Sequence, residues 1–433
     1  MGHASSTAAR YAATTALLAG LALAGSAVAA VVAVPAGANL QQAVATAAAG
    51  DTLRLAPGRY PGNLVIDKPL TLEGPPDRSA AIIGERRGRT IWVRAPHVTL
   101  RHLTIQQSGL SLPDMDAGVF LDRTAHHAMV EHNDILDNLM GVYVWGPEAA
   151  QVRANRIVGN TELRLAERGN GVSLWNSPGT QVIGNDISAG RDGIFSNTSK
   201  HNLFRGNRFR QLRYGVHYMY TNDSEISDNV SEGNDIGYAI MYSHRLVVRN
   251  NIALRSSDQG LMLNYANDSA IHGNTVRGGS KCVFLYNANN NRFDSNHFHD
   301  CDIGIHFTAG SNGNAIFDNA FVNNKNQVKY VGTRVIEWSR NGRGNYWSDN
   351  TAFDLDGDGI ADTAYRPNGI VDQILWRAPA ARILLNSPAV SVVRWAQAQF
   401  PALLPGGVID SAPLMRPPTL STTTAPATAG VLP

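Results

Sequence analysis

His217, Met219, Met241 and Met262 place one imidazole and three thioethers on three successive repeats in the middle of this 433-residue chain. Soft donors of this kind select monovalent copper, and a methionine, unlike a cysteine, cannot be lost to disulfide formation outside the cytoplasm. The alternative for methionines at repeat spacing is ordinary packing. A second group, Asp354-Leu-Asp356-Gly-Asp358-Gly-Ile-Ala-Asp362, sets carboxylates at positions 1, 3, 5 and 9 of an EF-hand-like loop, with Gly359 at the sharp turn. Position 12 is Tyr365 instead of Glu, so a bidentate ligand would have to come from elsewhere, such as Asp372. The loop predicts a structural calcium ion, against the plainer reading of a solvated Asp-Gly turn.

Other polar clusters carry less. His126, His127 and His132, and the pair His297 and His299, fall at repeat corners of unlike register and read as solvated turn histidines. Asp192, Asp228 and Asp258 sit near corners at unlike offsets, so they do not form the carboxylate line that cleavage of an acidic polysaccharide would need. No catalytic constellation is expected. Cys282 and Cys301 lie nearly one repeat apart, which allows either a bridge between neighbouring turns of the chain or two buried thiols.

The repeat that spaces these residues is regular. A glycine opens a short apolar strand at Gly118, Gly141, Gly171, Gly193, Gly215, Gly237, Gly260 and Gly304, with Cys282 in the same slot, at intervals of 23, 30, 22, 22, 22, 23, 22 and 22. The long interval holds the polar stretch 161–169, an insertion looping out of one rung. Fourteen or fifteen residues after each opening comes an asparagine: Asn133, Asn155, Asn185, Asn207, Asn229, Asn251, Asn274, Asn296 and Asn319. Asparagine tolerates a left-handed corner, and its amide can bond the asparagine above and below. An apolar residue precedes each by three. Leucine-rich repeats share the period, but these slots hold Val, Ile and Phe, and no 3.6-residue pattern follows. The expected fold is therefore all-β: a right-handed parallel β-helix, a pectate-lyase-like solenoid of about 22-residue rungs.

Residues one and three after each opening slot should point inward, and residues two and four outward. The outward pairs include Tyr143 and Trp145, His217 and Met219, Ala239 and Met241, Met262 and Asn264, and His306 and Thr308. They form a stripe of aromatic, His and Met residues of the sort that something covers: the C-terminal segment, the insertion or a partner protein.

Both ends of a solenoid need closing. Residues 39–49 predict a short helix, followed by irregular rungs, so 30–96 reads as a cap ahead of a regular helix over 97–335. Residues 336–416 read as a C-terminal capping and docking segment, with Ser387 capping a helix that begins at Pro388. Residues 417–433 are rich in Pro, Thr and Ala and read as a disordered tail. Arg10, the apolar run from Ala16 to Ala24 and Ala27-Val28-Ala29 read as a secretory signal over 1–29. Charged residues are 17% of the chain and the net charge is +2, which gives no basis for nucleic-acid binding.

The stretch Tyr214-Gly-Val-His-Tyr-Met, then Gln327-Val-Lys-Tyr-Val with Glu337-Trp338-Ser339, Gly344-Asn-Tyr-Trp-Ser-Asp and Leu384-Leu-Asn-Ser-Pro resemble the NosD family of nitrous oxide reductase maturation proteins, from about Gly37 to Met415. The resemblance implies a periplasmic accessory protein and no enzyme. It implies partnership with an ABC-type permease and its ATPase, copper received from a chaperone lipoprotein, and delivery toward nitrous oxide reductase. Membrane contact would run only through the permease, with the C-terminal helix as the contact. The rivals are a polysaccharide lyase or epimerase, which needs a catalytic groove, and a carbohydrate-binding module, which needs only the aromatic stripe.

Overall fold

The computed structural model describes residues 29–367, 369–384, 387–400 and 406–419. The segment read as a secretory signal lies outside them except for residue 29, as does the tail expected beyond residue 419. Each rung runs through three short strands. One set forms a 13-stranded sheet, and the other two sets share a 23-stranded sheet. The strands Thr275–Tyr286 and His297–Thr308 pass through both of the faces that this larger sheet contains. Pairing between rungs is parallel and in register, so Ile194, Val216, Tyr238, Leu261, Val283 and Ile305 stack as one buried column. No rung can bury such a face alone, whereas stacking makes the core continuous. The opening glycines are needed for close approach: a Cβ on Gly215 would lie 2.6 Å from the Gly237 carbonyl oxygen.

The asparagines form the expected ladder. Asn229 donates its amide to Asn251 Oδ1 (2.9 Å) and to the Phe204 carbonyl (2.9 Å), and its backbone N–H reaches the same Asn251 oxygen (3.1 Å). The left-handed corner, however, is taken by the preceding residue, among them His132, Ala154, Asp228, Asn250 and Asp318. That residue turns the chain, and the asparagine after it can then point inward to satisfy the buried backbone of the turn. The ladder also extends beyond Asn319 to Asn345, across a longer 26-residue interval. It ends on Asp410, whose Oδ2 accepts from the Asn345 N–H (2.7 Å) and from Trp347 Nε1 (2.8 Å).

The N-terminal cap begins with a strand, Val31–Val34, that pairs with Thr52–Leu55. Helix α1, Leu40–Thr46, follows with Asn39 as its N-cap and buries Leu40 and Val44. It stops three residues short of the predicted end, where Lys68 donates to the carbonyls of Ala45 and Ala47. At the other end Phe298, Phe321, Trp347 and Tyr365 stack in sequence, with centroid separations of 5.3, 4.4 and 4.7 Å. Ile336–Glu337 pairs with Val408–Ile409 to close the last rung. Cys282 and Cys301 are joined in a disulfide within the core, their Cα atoms 5.7 Å apart, which settles the choice left by their spacing.

The solvated-turn reading fails for His297 and His299. Both lie in a strand; His297 is buried and His299 half-buried, and His297 donates from Nε2 to the Pro418 carbonyl at 2.8 Å. Burial lowers the pKa of both rings. That bond holds Pro418, at the start of the supposed tail, against the solenoid.

Candidate metal face

The outward stripe is built by register. The second outward column runs Phe195, His217, Ala239, Met262, Phe284 and His306 on consecutive rungs. The fourth runs Trp145, Trp175, Asn197, Met219, Met241, Asn264 and Tyr286. Met219 and Met241 are therefore direct neighbours, while His217 and Met262 face each other across Ala239. Strand spacing sets that span at roughly 10 Å, within the combined reach of an imidazole and a thioether. Ala239, having no side chain beyond Cβ, leaves the interval open. It is itself fully buried beneath its neighbours, and His217 is only 8% exposed, so these outward positions are less open than alternation alone predicts.

His217 is held on three sides. Phe195 lies against its ring at 4.9 Å and Tyr214 meets it edge-on at 5.1 Å. Its Nδ1 lies 3.0 Å from Asp192 Oδ2. Arg213 grips both oxygens of the same carboxylate, at 2.8 and 2.7 Å. Burial works to raise the Asp192 pKa, but the bonds from His217 and Arg213 outweigh it and hold the carboxyl below its ordinary value. An ionised carboxylate only accepts, so His217 carries its proton on Nδ1. Nε2 is left buried without a hydrogen-bond partner. A carboxylate orienting one imidazole nitrogen so that the other presents a lone pair is the usual second layer of a metal site.

In the sequence Asp192 is legible only as a stray carboxylate. It stands one residue before its opening glycine, His217 two residues after the next, and only rung stacking brings the two together. Asn264 is likewise missed as a candidate ligand; its Oδ1 is buried and unpartnered in the column that holds Met219 and Met241.

The insertion and the described C-terminal segment meet the solenoid toward the two ends of the stripe. The insertion packs Leu163 against Ala117, Leu139 and Met140, the cluster that Tyr143 also packs on, near the start of the columns. The described C-terminal segment bonds to the last rungs. Met219, Met241 and Met262 lie between them, half-buried.

The acidic loop brings Asp354, Asp356 and Asp358 together, one oxygen of each within 4.8 Å of the others. Asp362 is turned to the Leu355 N–H (2.9 Å). Asp372, the residue considered for the missing ligand, is engaged elsewhere: it accepts from the Gly369 N–H at the start of helix α2, Ile370–Arg377, while Tyr365, at position 12, donates to Asp349. Helix α3, Pro388–Gln399, starts at the predicted cap, with Ser387 accepting from the Val390 N–H. Ile383, Val392, Trp395 and Phe400 stand exposed around these helices, Trp395 at 63%. No helix among the described residues is long and apolar enough to cross a membrane.

Known proteins of two kinds are similar to this chain. The solved structures show the fold. The Dettilon tailspike protein aligns with a TM-score of 0.52 at 16% identity, over 65% of this chain and 62% of its own. The adhesin PfbA of Streptococcus pneumoniae aligns at 0.51 and 11%, over 67% and 94%. The sequence comparisons go further. A family model described as "Periplasmic copper-binding protein (NosD)" matches residues 153–352, which include the whole Met and His cluster. A Pseudomonas aeruginosa protein named "Probable ABC transporter binding protein NosD" is 40% identical over 378 residues, 84% of this chain and 88% of its own. A Stutzerimonas stutzeri protein of the same name is 38% identical over 381 residues, 84% of this chain and 87% of its own. With the post-repeat motifs, the ladder and this similarity along most of its length, the chain belongs to the NosD family.

Proposed function

We propose that this protein is a periplasmic copper-handling accessory factor that works with an ABC-type permease and its ATPase, takes copper from a chaperone lipoprotein, and supplies it for maturation of nitrous oxide reductase. The observation that carries the copper step is the buried, unpartnered Nε2 of His217, fixed from behind by Asp192 and Arg213 on the rungs that bear Met219, Met241 and Met262. The nearest carboxylate is already committed to Arg213 and to Nδ1. The remaining donors are neutral and soft, which suits a monovalent ion better than a divalent one. Anaerobic Cu(I) titration of the mature protein tests this, with the triple methionine variant beside it.

The exposed apolar residues of α3 are the proposed permease contact. Removing all of 388–416 would also remove the strand and carboxylate that close the solenoid, so the sharper test is Val392→Ser, Trp395→Ser and Phe400→Ser together. Co-purification with the permease should fall by at least about tenfold, as expected when an aromatic anchor is lost from an interface core. Undiminished recovery would refute the contact.

Asp354, Asp356 and Asp358 are proposed to hold a structural calcium ion, with Asp362 nearby and water or carbonyl oxygens completing the shell. Calcium at millimolar concentration should raise the thermal midpoint of the wild type by a few degrees and leave that of Asp356→Asn unmoved. A calcium-induced shift equal in both proteins, or absent from both, would leave the loop a hydrogen-bonded turn.

A further inference from the structure

Tyr220, Tyr242 and Tyr265 occupy the corner five residues after the opening glycine, each in the left-handed region, with φ of 51°, 49° and 51°. That conformation is disfavoured for a bulky side chain. Other rungs fill the same corner with residues better suited to it or smaller: Gly146, Asn176, Thr198 and Asn287. Tyrosine appears there on three consecutive rungs, and these are the rungs that carry Met219, Met241 and Met262. Left-handed corners recur throughout the solenoid, but a large phenol ring held at the same one on three successive rungs points to a task at that place.

The geometry indicates the task. Tyr220 stacks on Tyr242 at 5.2 Å and 22°, and Tyr242 on Tyr265 at 5.1 Å and 9°. Rings stacked on one another turn their edges to solvent, so this row does not offer the open faces that a sugar chain would stack on. Tyr265 then meets Tyr286 edge-on at 5.9 Å, and Tyr286 belongs to the methionine column itself, two rungs below Met241. The aromatic row thus runs alongside Met219, Met241 and Asn264 and turns across the column's end.

We propose that Tyr220, Tyr242, Tyr265 and Tyr286 are a wall that limits the access of water and oxidants to the thioethers of Met219 and Met241. Its purpose rests on the copper reading, since an apolar shell governs solvent access to a metal and the ease of its oxidation. The wall itself acts on the methionines with or without metal. The chemistry it restrains is transfer of one oxygen atom from a peroxide to methionine sulfur, giving the sulfoxide and releasing water or an alcohol.

The test compares metal-free wild type with Tyr220→Asn/Tyr242→Asn/Tyr265→Asn and with the corresponding triple Phe variant, each treated with hydrogen peroxide and mapped by mass spectrometry. In the Asn variant, sulfoxide at Met219 and Met241 should form about threefold faster or more. Its thermal midpoint should be no lower than wild type, because asparagine suits the corner. The Phe variant should keep the protection. A lower midpoint with unchanged oxidation rates would make the stack a structural staple and overturn the proposal, as would loss of protection in the Phe variant, which would assign the effect to the phenol oxygen. Protection by the wall in a protein that binds no Cu(I) would uphold the wall and sink only the copper reading.

Discussion

Wild-type protein titrated anaerobically with Cu(I) against a chromophoric chelator is expected to hold one ion, and Met219→Leu/Met241→Leu/Met262→Leu to hold none at the same chelator concentration. Leucine preserves volume and apolarity, so the fold should survive with a near-normal melting curve. Two variants that remove no ligand sharpen the result. Asp192→Asn should weaken binding by about 10- to 100-fold, the usual cost of losing the group that orients a ligating histidine. Ala239→Leu should weaken it too, because the interval between His217 and Met262 exists only while that side chain is a methyl. Full binding by the triple variant would dismiss the methionines as packing residues. Weakening in the triple variant with none in Asp192→Asn and Ala239→Leu would move the ion away from His217.

Asp410 should give the protein an unusual pH profile. The carboxyl is buried, and desolvation pushes its pKa up to about 6 against an ordinary value of 3.8, even though the Asn345 and Trp347 N–H groups and others donate to it. The folded chain therefore binds a proton that the unfolded chain releases. The stabilising contribution is fully present below about pH 4 and is lost as the pH rises through about 6. A gap of that size between the folded and unfolded chains corresponds to roughly 3 kcal/mol across the window. Urea unfolding at pH 4.5 and pH 7 should show wild type losing stability relative to Asp410→Asn by most of that amount. Parallel curves for the two proteins at both values would place the proton elsewhere.

Much of the architecture is local, and local order is what a sequence displays. An asparagine at a fixed offset from an opening glycine can serve only if rungs stack in register, so Asn133 through Asn319 are readable as a ladder from the sequence alone. Asn345 is not, because Gln327 stands in the opening slot of its rung and a loop lengthens the offset that follows, and Asp410 is not, because it arrives from 65 residues further along the chain. The same distinction governs the site. Met219 and Met241 are visible because they repeat at one offset, and Met262 because it falls on an outward position of the next rung. Asp192 reads only as a stray carboxylate because its link to His217 joins two unlike offsets on adjacent rungs. The left-handed corner falls one residue before the asparagine to which the sequence assigns it, since residue preference says which types tolerate a turn and not which of two adjacent positions makes it. The disulfide is undecided in the sequence for a related reason: near-repeat spacing brings two cysteines close, whereas bonding depends on their side-chain directions.

The closing of the ladder by Asp410 has a bearing on how the protein is made. Until residues 408–410 are available, the growing stack ends in a rung with unpaired backbone groups and an aromatic face, a surface matched to the start of another such rung. A chain interrupted before this point would carry an adhesive end, and two interrupted chains could add to each other as readily as a further rung adds to one. The final carboxylate therefore acts as a stop signal for growth, keeping an otherwise extendable repeat to a finite, single-chain length.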